Sequence, residues 1–227
     1  MTLPSAPWMR RLAGRFIAFE GPDGSGKTTQ YRRLISLLQQ RGLTVCEVRE
    51  PGGTPIGESI RQILLHTKDE MTLRCEMLLY MASRSQLVEQ RIRPALKRGE
   101  VVMADRFVSS TLAYQGSAGG IPIPEIKAVA DVAIQGAYPD LVIIFDVDEE
   151  TAARRISPLL ADVSSTRETK GLDRIESRGR EFHRKVREGY LEQARQAPDR
   201  HLVIDARRSA DEVWQSLLDA LGERFEA

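Results

Sequence analysis

Short apolar runs alternate along the chain with longer stretches whose apolar positions recur every three to four residues, the pattern of strands interleaved with helices. Phe16-Ile17-Ala18-Phe19 is the first strand-like run, and Tyr31, Leu34, Leu37 and Leu38 then share one helical face across residues 27–41, with Gly42 where such a helix stops. Leu43 to Val48 reads as the next strand, so strand, helix and strand make one βαβ unit with parallel strands and a right-handed crossover. A short helix is expected over 56–66, and a long one over 72–93 that ends near Pro94 and the Lys97-Arg98-Gly99 turn. Beyond these come a strand at 101–104, a helix from Ser109 to Tyr114, a loop from Gly116 to Pro124 and a helix over 125–136. Leu141 to Val147 is too continuously apolar for a half-exposed strand and belongs in a sheet covered on both faces. A helix beginning near Glu149, a polar excursion over 157–171, a charged helix to about Ala197, a strand at 201–205 and a closing helix at 209–222 complete the series. The expectation is an α/β fold: a five-stranded parallel sheet between two helical layers.

Composition narrows this picture. A chain of 227 residues, 41% hydrophobic, can bury one substantial core, so residues 15–227 are expected to form a single domain carrying a lid segment at about 150–175. Residues 1–14 contain Arg10 and Arg11 but no apolar run long enough for a signal peptide or membrane span, and are expected to be a loose leader. Lys plus Arg number 33 against 32 Asp plus Glu, which provides no general basic field for nucleic acid or anionic lipid. Cys46 and Cys75 have no metal-binding spacing and suit reduced thiols in a cytoplasmic protein; His66, His183 and His201 are scattered too widely for a metal cluster.

Chemistry concentrates at Gly21-Pro22-Asp23-Gly24-Ser25-Gly26-Lys27-Thr28, which fits G-x-x-x-x-G-K-[ST] between a strand and a helix and continues into Thr29. Glycines let successive N–H groups converge on one point, and the following helix adds the positive end of its dipole. An anion belongs there. Lys27 can reach terminal phosphates, and the Thr28 hydroxyl can ligate a magnesium ion bridging them. Two further sites stand at strand ends, where open parallel sheets bind ligands: Arg49-Glu50-Pro51-Gly52-Gly53-Thr54 and Asp105-Arg106. The latter pair can hold magnesium water and a phosphate, or form a plain structural ion pair. Tyr80 and Arg84 lie one helical turn apart, and the pattern alone favours a half-buried ring beside a solvated guanidinium.

Phe19-Glu20-Gly21 running into the phosphate loop, Arg49 to Thr54, Asp105-Arg106 with Ser110 and Ala113-Tyr114-Gln115-Gly116, Tyr138-Pro139-Asp140-Leu141, and Leu172-Asp173-Arg174-Ile175-Glu176 together resemble the bacterial thymidylate kinase family from Arg15 onward. That resemblance implies a P-loop nucleoside monophosphate kinase fold, a homodimer, and transfer of the ATP γ-phosphate to dTMP. By the same resemblance Arg106 grips the dTMP phosphate with Arg49 as a second contact, Asp105 partners the magnesium shell, and Arg84 hydrogen-bonds thymine with Thr111 and Gln115 closing on the base. Tyr114 crowds the 2′ position of the sugar, and Asp23 faces the sugar and phosphate, although an Asp there also suits the turn. Tyr80 stands where family members commonly stack a Phe, and its hydroxyl needs a partner if buried.

The family draws a further Arg either from the variable part of the phosphate loop or from the lid. Pro22, Asp23, Gly24 and Ser25 include no cation, so Arg155, Arg167 or Lys170 is expected to supply that charge. A kinase of another nucleoside monophosphate on the same fold is the nearest alternative, because one methyl separates thymine from uracil. A GTP-dependent switch would need an Asn-Lys-x-Asp loop, and the sequence contains no Asn.

Overall fold

A computed structural model describes residues 7–156 and 178–226. In chain order its elements are β1 (Phe16–Glu20), α1 (Lys27–Gln40), β2 (Val45–Arg49), α2 (Pro55–His66), α3 (Leu73–Leu87), α4 (Arg93–Lys97), β3 (Val101–Asp105), α5 (Val108–Thr111), α6 (Ile123–Ile134), β4 (Leu141–Asp146), α7 (Glu149–Ile156), α8 (Arg180–Gln196), β5 (His201–Asp205) and α9 (Ala210–Glu226). The strands form one parallel sheet in the order β2-β3-β1-β4-β5, with Ala18 beside both Ala104 and Val142.

Strand periodicity creates the three layers. Phe16 and Ala18 of β1, with Val102 and Ala104 of β3 and Val142 and Ile144 of β4, face a core shared with α2, α3, α6 and α8. Their neighbours Ile17, Phe19, Val101, Met103, Leu141, Ile143 and Phe145 face the opposite core, shared with α1 and α9. With both faces covered, the three inner strands carry the unbroken apolar runs expected of a doubly wound sheet.

Two boundaries differ from expectation. The long helix does not stop before Pro94: a widened π turn at Val88–Ile92 follows α3 and runs directly into α4, which takes in Pro94. The helix after Ser109 likewise continues through a π turn at Leu112–Ala118, taking residues expected to be loop. For residues 7–12 the expectation of a loose leader is also corrected, residues 1–6 lying outside the described residues. Residues Pro7–Leu12 form a 3₁₀ helix that buries Trp8, Met9 and Leu12 in the core shared with α9, and Arg11 Nη1 donates to Phe225 O at 2.8 Å. In so short a segment Arg10 and Arg11 obscure the apolar face in the sequence pattern. Among the described residues no helix is long and apolar enough to cross a membrane.

Candidate active site

The phosphate loop departs from the carboxyl end of β1 and runs into α1. Gly21 has φ 143°, and a Cβ there would come within 2.7 Å of Phe145 O; Gly24 has φ 78°, and its Cβ would meet Ala152 O at 2.5 Å. Glycine at these two positions is therefore a steric requirement as well as a conformational preference. α2 and α3 begin with Thr54 and Thr72 accepting from the N–H groups of Gly57 and Cys75, whereas α1 begins at Gly26 with no side-chain cap. Its first N–H groups are left for an external anion. A cavity of about 280 Å³ lies over the loop, lined by residues 22–29 and Arg155.

A second cavity, about 240 Å³, opens on the other side of Lys27 and is shared by the ends of β2 and β3 and by α3 and α5. Both cavities are lined by Asp23, Lys27 and Thr28. Lys27 makes a close ion pair with Asp105, while Arg106 pairs with Asp23, so the adjacent Asp105 and Arg106 do not pair with each other. Burial and the neighbouring Arg106 lower the Lys27 ammonium below its ordinary range despite Asp105. Burial favours a neutral Asp23, but Arg106 and Lys27 outweigh it and hold the carboxyl below its usual range.

Arg106 is one of the two non-glycine residues with positive φ among those described, at 72°, and its N–H donates to Phe19 O at 2.9 Å. This left-handed backbone is maintained by its surroundings. Nη1 of Arg106 donates to Gly21 O at 3.2 Å, Ser110 Oγ at 3.1 Å and Tyr190 Oη at 3.2 Å. Behind these groups, Glu20 accepts from Phe107 N at 2.8 Å, Ser110 Oγ at 2.6 Å and Tyr190 Oη at 3.0 Å. Burial raises the Glu20 carboxyl pKa, and its donors only partly oppose the shift. The arrangement presents a half-buried guanidinium with a fixed direction to the cavity.

Deeper in the cavity Arg84 is 1% exposed, contrary to the solvated guanidinium its spacing suggests. Its Nε donates to Glu50 Oε2 at 2.8 Å, Nη1 to Thr111 Oγ1 at 3.2 Å and Nη2 to Phe107 O at 3.0 Å. Burial pushes the Glu50 carboxyl up to about 7 against the pull of Arg84, and Glu50 Oε1 is buried with no hydrogen-bond partner. Tyr80 lines the same cavity, half-buried, and Tyr114 lies under the Arg106 guanidinium with its hydroxyl 3.4 Å from Asp23. Gln115 Nε2 donates to Glu76 Oε1 at 2.7 Å. Arg49 lies at the exposed mouth, its Nη2 bonded to both Glu58 carboxylate oxygens at 2.9 and 3.0 Å.

Of the lid cations, Arg155 is exposed, and its Nη1 reaches Gly24 O and Ser25 O at 3.4 Å and Ala206 O at 2.8 Å. Arg167 and Lys170 lie outside the described residues, as do residues 172–176. Glu20, Glu50 and Ser110 lie within the sequence motifs without a predicted role, and Glu76 and Tyr190 lie outside those motifs. A signal for Glu76 existed: it precedes Tyr80 and Arg84 at the same four-residue interval and shares their helix face.

A parallel five-stranded sheet with an uncapped phosphate loop at the end of its central strand, beside a second cavity walled by arginines, defines a P-loop α/β protein of the nucleotide kinase type. A family model described as thymidylate kinase matches residues 19–217. The chain is 44% identical over 216 residues to a thymidylate kinase of Geobacillus sp. (strain WCH70), covering 95% of this chain and 99% of that protein. It is 45% identical over 217 residues to one from Pelotomaculum thermopropionicum, covering 95% and 96%. The crystal structure of thymidylate kinase from Ehrlichia chaffeensis superposes with a TM-score of 0.71 at 32% identity, over 91% of this chain and 98% of that one. The chain belongs to the thymidylate kinase family.

Proposed function

We infer that the protein transfers the γ-phosphate of ATP to dTMP, giving ADP and dTDP for deoxynucleotide supply. The observation that carries this reading is the junction of two cavities at Asp23, Lys27 and Thr28. A donor seated on the phosphate loop and a monophosphate seated against Arg106 would bring their phosphates together there. An oxygen of the dTMP phosphate then forms the new bond to the γ-phosphorus as the bond to the β–γ bridging oxygen breaks, and that oxygen leaves with ADP. The protein's contribution is alignment and charge neutralisation. Lys27 serves the donor, Arg106 and Arg49 the acceptor phosphate, and Asp23 the sugar and phosphate region. Tyr114 crowds the sugar, while Tyr80, Arg84, Thr111 and Gln115 surround the base.

The oxygen donors fit magnesium: Thr28 is exposed in the first turn of α1, and Asp105, paired with Lys27, lines the same cavity. Magnesium would be held by these two residues and would neutralise phosphate charge when bound. The variable positions of the loop contain no cation, so Arg155, Arg167 and Lys170 are the candidates for the additional charge on the transferring group. Changing each to Ala is expected to lower turnover about 10³-fold for the residue that serves; turnover within a few-fold for all three would remove the idea.

A homodimer in the cytoplasm completes the reading. Ile63 of α2, Leu78 of α3 and Val132 of α6 are exposed apolar side chains on helices that pack side by side, and a second copy covering them is expected to give a dimer mass by sedimentation. Cys46 and Cys75 are both free, in keeping with a reducing compartment. Product formation from ATP with a panel of monophosphates tests the activity itself. Preference for dTMP is expected, and equal rates with CMP would refute the assignment.

A further inference from the structure

Glu76 lies in the first turn of α3 with its side chain fully buried; it is bonded to Gln115, which lines the second cavity, and is not itself in that lining. One carboxylate oxygen accepts from Gln115 Nε2 at 2.7 Å, and the other accepts from Arg178 Nη2 at 2.7 Å. Arg178 lies two residues before α8 and 4.7 Å from the centre of the Phe182 ring, which in turn meets the Tyr114 ring edge-on. A carboxylate held in an ion pair, as Glu76 is by Arg178, accepts hydrogen bonds and donates none. Toward Glu76 the Gln115 carboxamide can therefore present only its NH₂ end, because a flipped amide would set Oε1 against the carboxylate. Gln115 also lines the cavity, so its remaining end, the Oε1 acceptor, is the one available to a base.

We propose that Glu76 is a positioning residue for base selection: by fixing the Gln115 carboxamide it makes the pocket accept a pyrimidine with a hydrogen on N3 and reject one with a bare N3 acceptor. Thymine and uracil carry that hydrogen; cytosine does not. The inference rests on the reading of this cavity as the acceptor-base site. It assigns the choice of the 4-oxo over the 4-amino class to a residue that does not touch the substrate.

The test compares kcat/KM for dTMP and dCMP, with ATP as donor, in the unaltered protein and three variants. In Glu76→Gln the neighbouring amide can either accept from or donate to Gln115, so both orientations of Gln115 become permitted. The dTMP to dCMP ratio is expected to fall about tenfold, mainly through a higher KM for dTMP with kcat within about twofold. Arg178→Gln, which leaves Glu76 to hold Gln115, is expected to keep the ratio within about twofold. Gln115→Ala is expected to lower the ratio at least as far as Glu76→Gln does. Should Glu76→Gln fail to fold, the double variant Glu76→Met/Arg178→Leu removes the ion pair as a unit and is expected to show the same fall. An unchanged ratio in Glu76→Gln or the double variant, alongside a collapsed ratio in Gln115→Ala, overturns the role of Glu76 alone. An unchanged ratio in Gln115→Ala overturns the reading of the cavity as well, and an equal fall in Arg178→Gln shows that the ion pair, not the amide, sets the preference.

Discussion

The phosphate loop presents mainly backbone to its ligand: α1 starts uncapped, Thr28 and Thr29 are exposed, and Lys27 is the buried charge. On the other side of Lys27 the cavity is built from side chains, with Arg84, Glu50, Glu76 and Gln115 all buried and bonded to one another or to the backbone. In this way two nucleotides are held in one site without being confused. A backbone cup recognises the anionic phosphates that all nucleoside triphosphates share. Buried side chains with fixed donors and acceptors discriminate among bases, because a mismatched ligand leaves them unpaired in a dry pocket. The first arrangement forms wherever the local sequence allows. The second exists only after distant segments have assembled.

The strongest way to break this division is at its shared boundary. Lys27→Met is expected to lower kcat by about 10³-fold or more while changing dTMP affinity, measured by calorimetry without ATP, by only a few-fold. A comparable loss of dTMP affinity would mean that the two halves are not separable. Arg106→Gln should act on the other half, reducing kcat/KM for dTMP about 10²-fold to 10³-fold with the KM for ATP nearly unchanged. Steady-state kinetics with each substrate varied in turn would check this, and parallel changes in both would contradict the division.

The acceptor side should also respond to pH through Glu50. Its carboxyl, raised to about 7 by burial, faces Arg84 with Glu20 as a nearby like charge, and its ordinary value is 4.5. Protonation weakens its hold on Arg84, so the KM for dTMP is expected to rise about tenfold one unit below that pKa. Because the substrate phosphate itself titrates near pH 6, the comparison is with Glu50→Gln, in which this part of the pH dependence should disappear. Stability should move in the opposite sense. Preferential protonation of the folded state contributes fully below about pH 4.5 and is lost as pH rises through about 7, a trend readable in urea melts. The smallest catalytic effect is expected from Trp8→Ala, which lies outside both cavities: about 3 kcal/mol of stability lost in chemical denaturation, with kcat/KM unchanged under conditions where the protein remains folded.

This contrast also explains what could be read from the sequence. The phosphate loop occupies eight consecutive positions, and the apolar runs of β1, β3 and β4 announce a sheet buried on both faces. Neighbouring residues carry those signals. The acceptor cavity depends instead on pairs separated by 34 residues for Arg84 and Glu50, 39 for Gln115 and Glu76, 102 for Arg178 and Glu76, and 170 for Tyr190 and Glu20. No local window contains both members of such a pair, so the pattern around Arg84 reads as that of a solvated helix residue although Glu50 and Phe107 enclose it. Resemblance to a family supplied the contacts proposed to touch substrate. It left unspoken the buried acids that aim those contacts.

The 3₁₀ helix at Pro7–Leu12 and α9 place early and late parts of the chain side by side, with Arg11 bonded to Phe225 across 214 positions. During synthesis the early segment leaves the ribosome long before its partner exists. Trp8, Met9 and Leu12 then remain without their α9 cover until the last helix emerges, so an interval of exposed apolar surface is built into every round of translation. Ribosomes stalled before residue 210 should carry nascent chains that bind chaperones, and release should follow completion of α9.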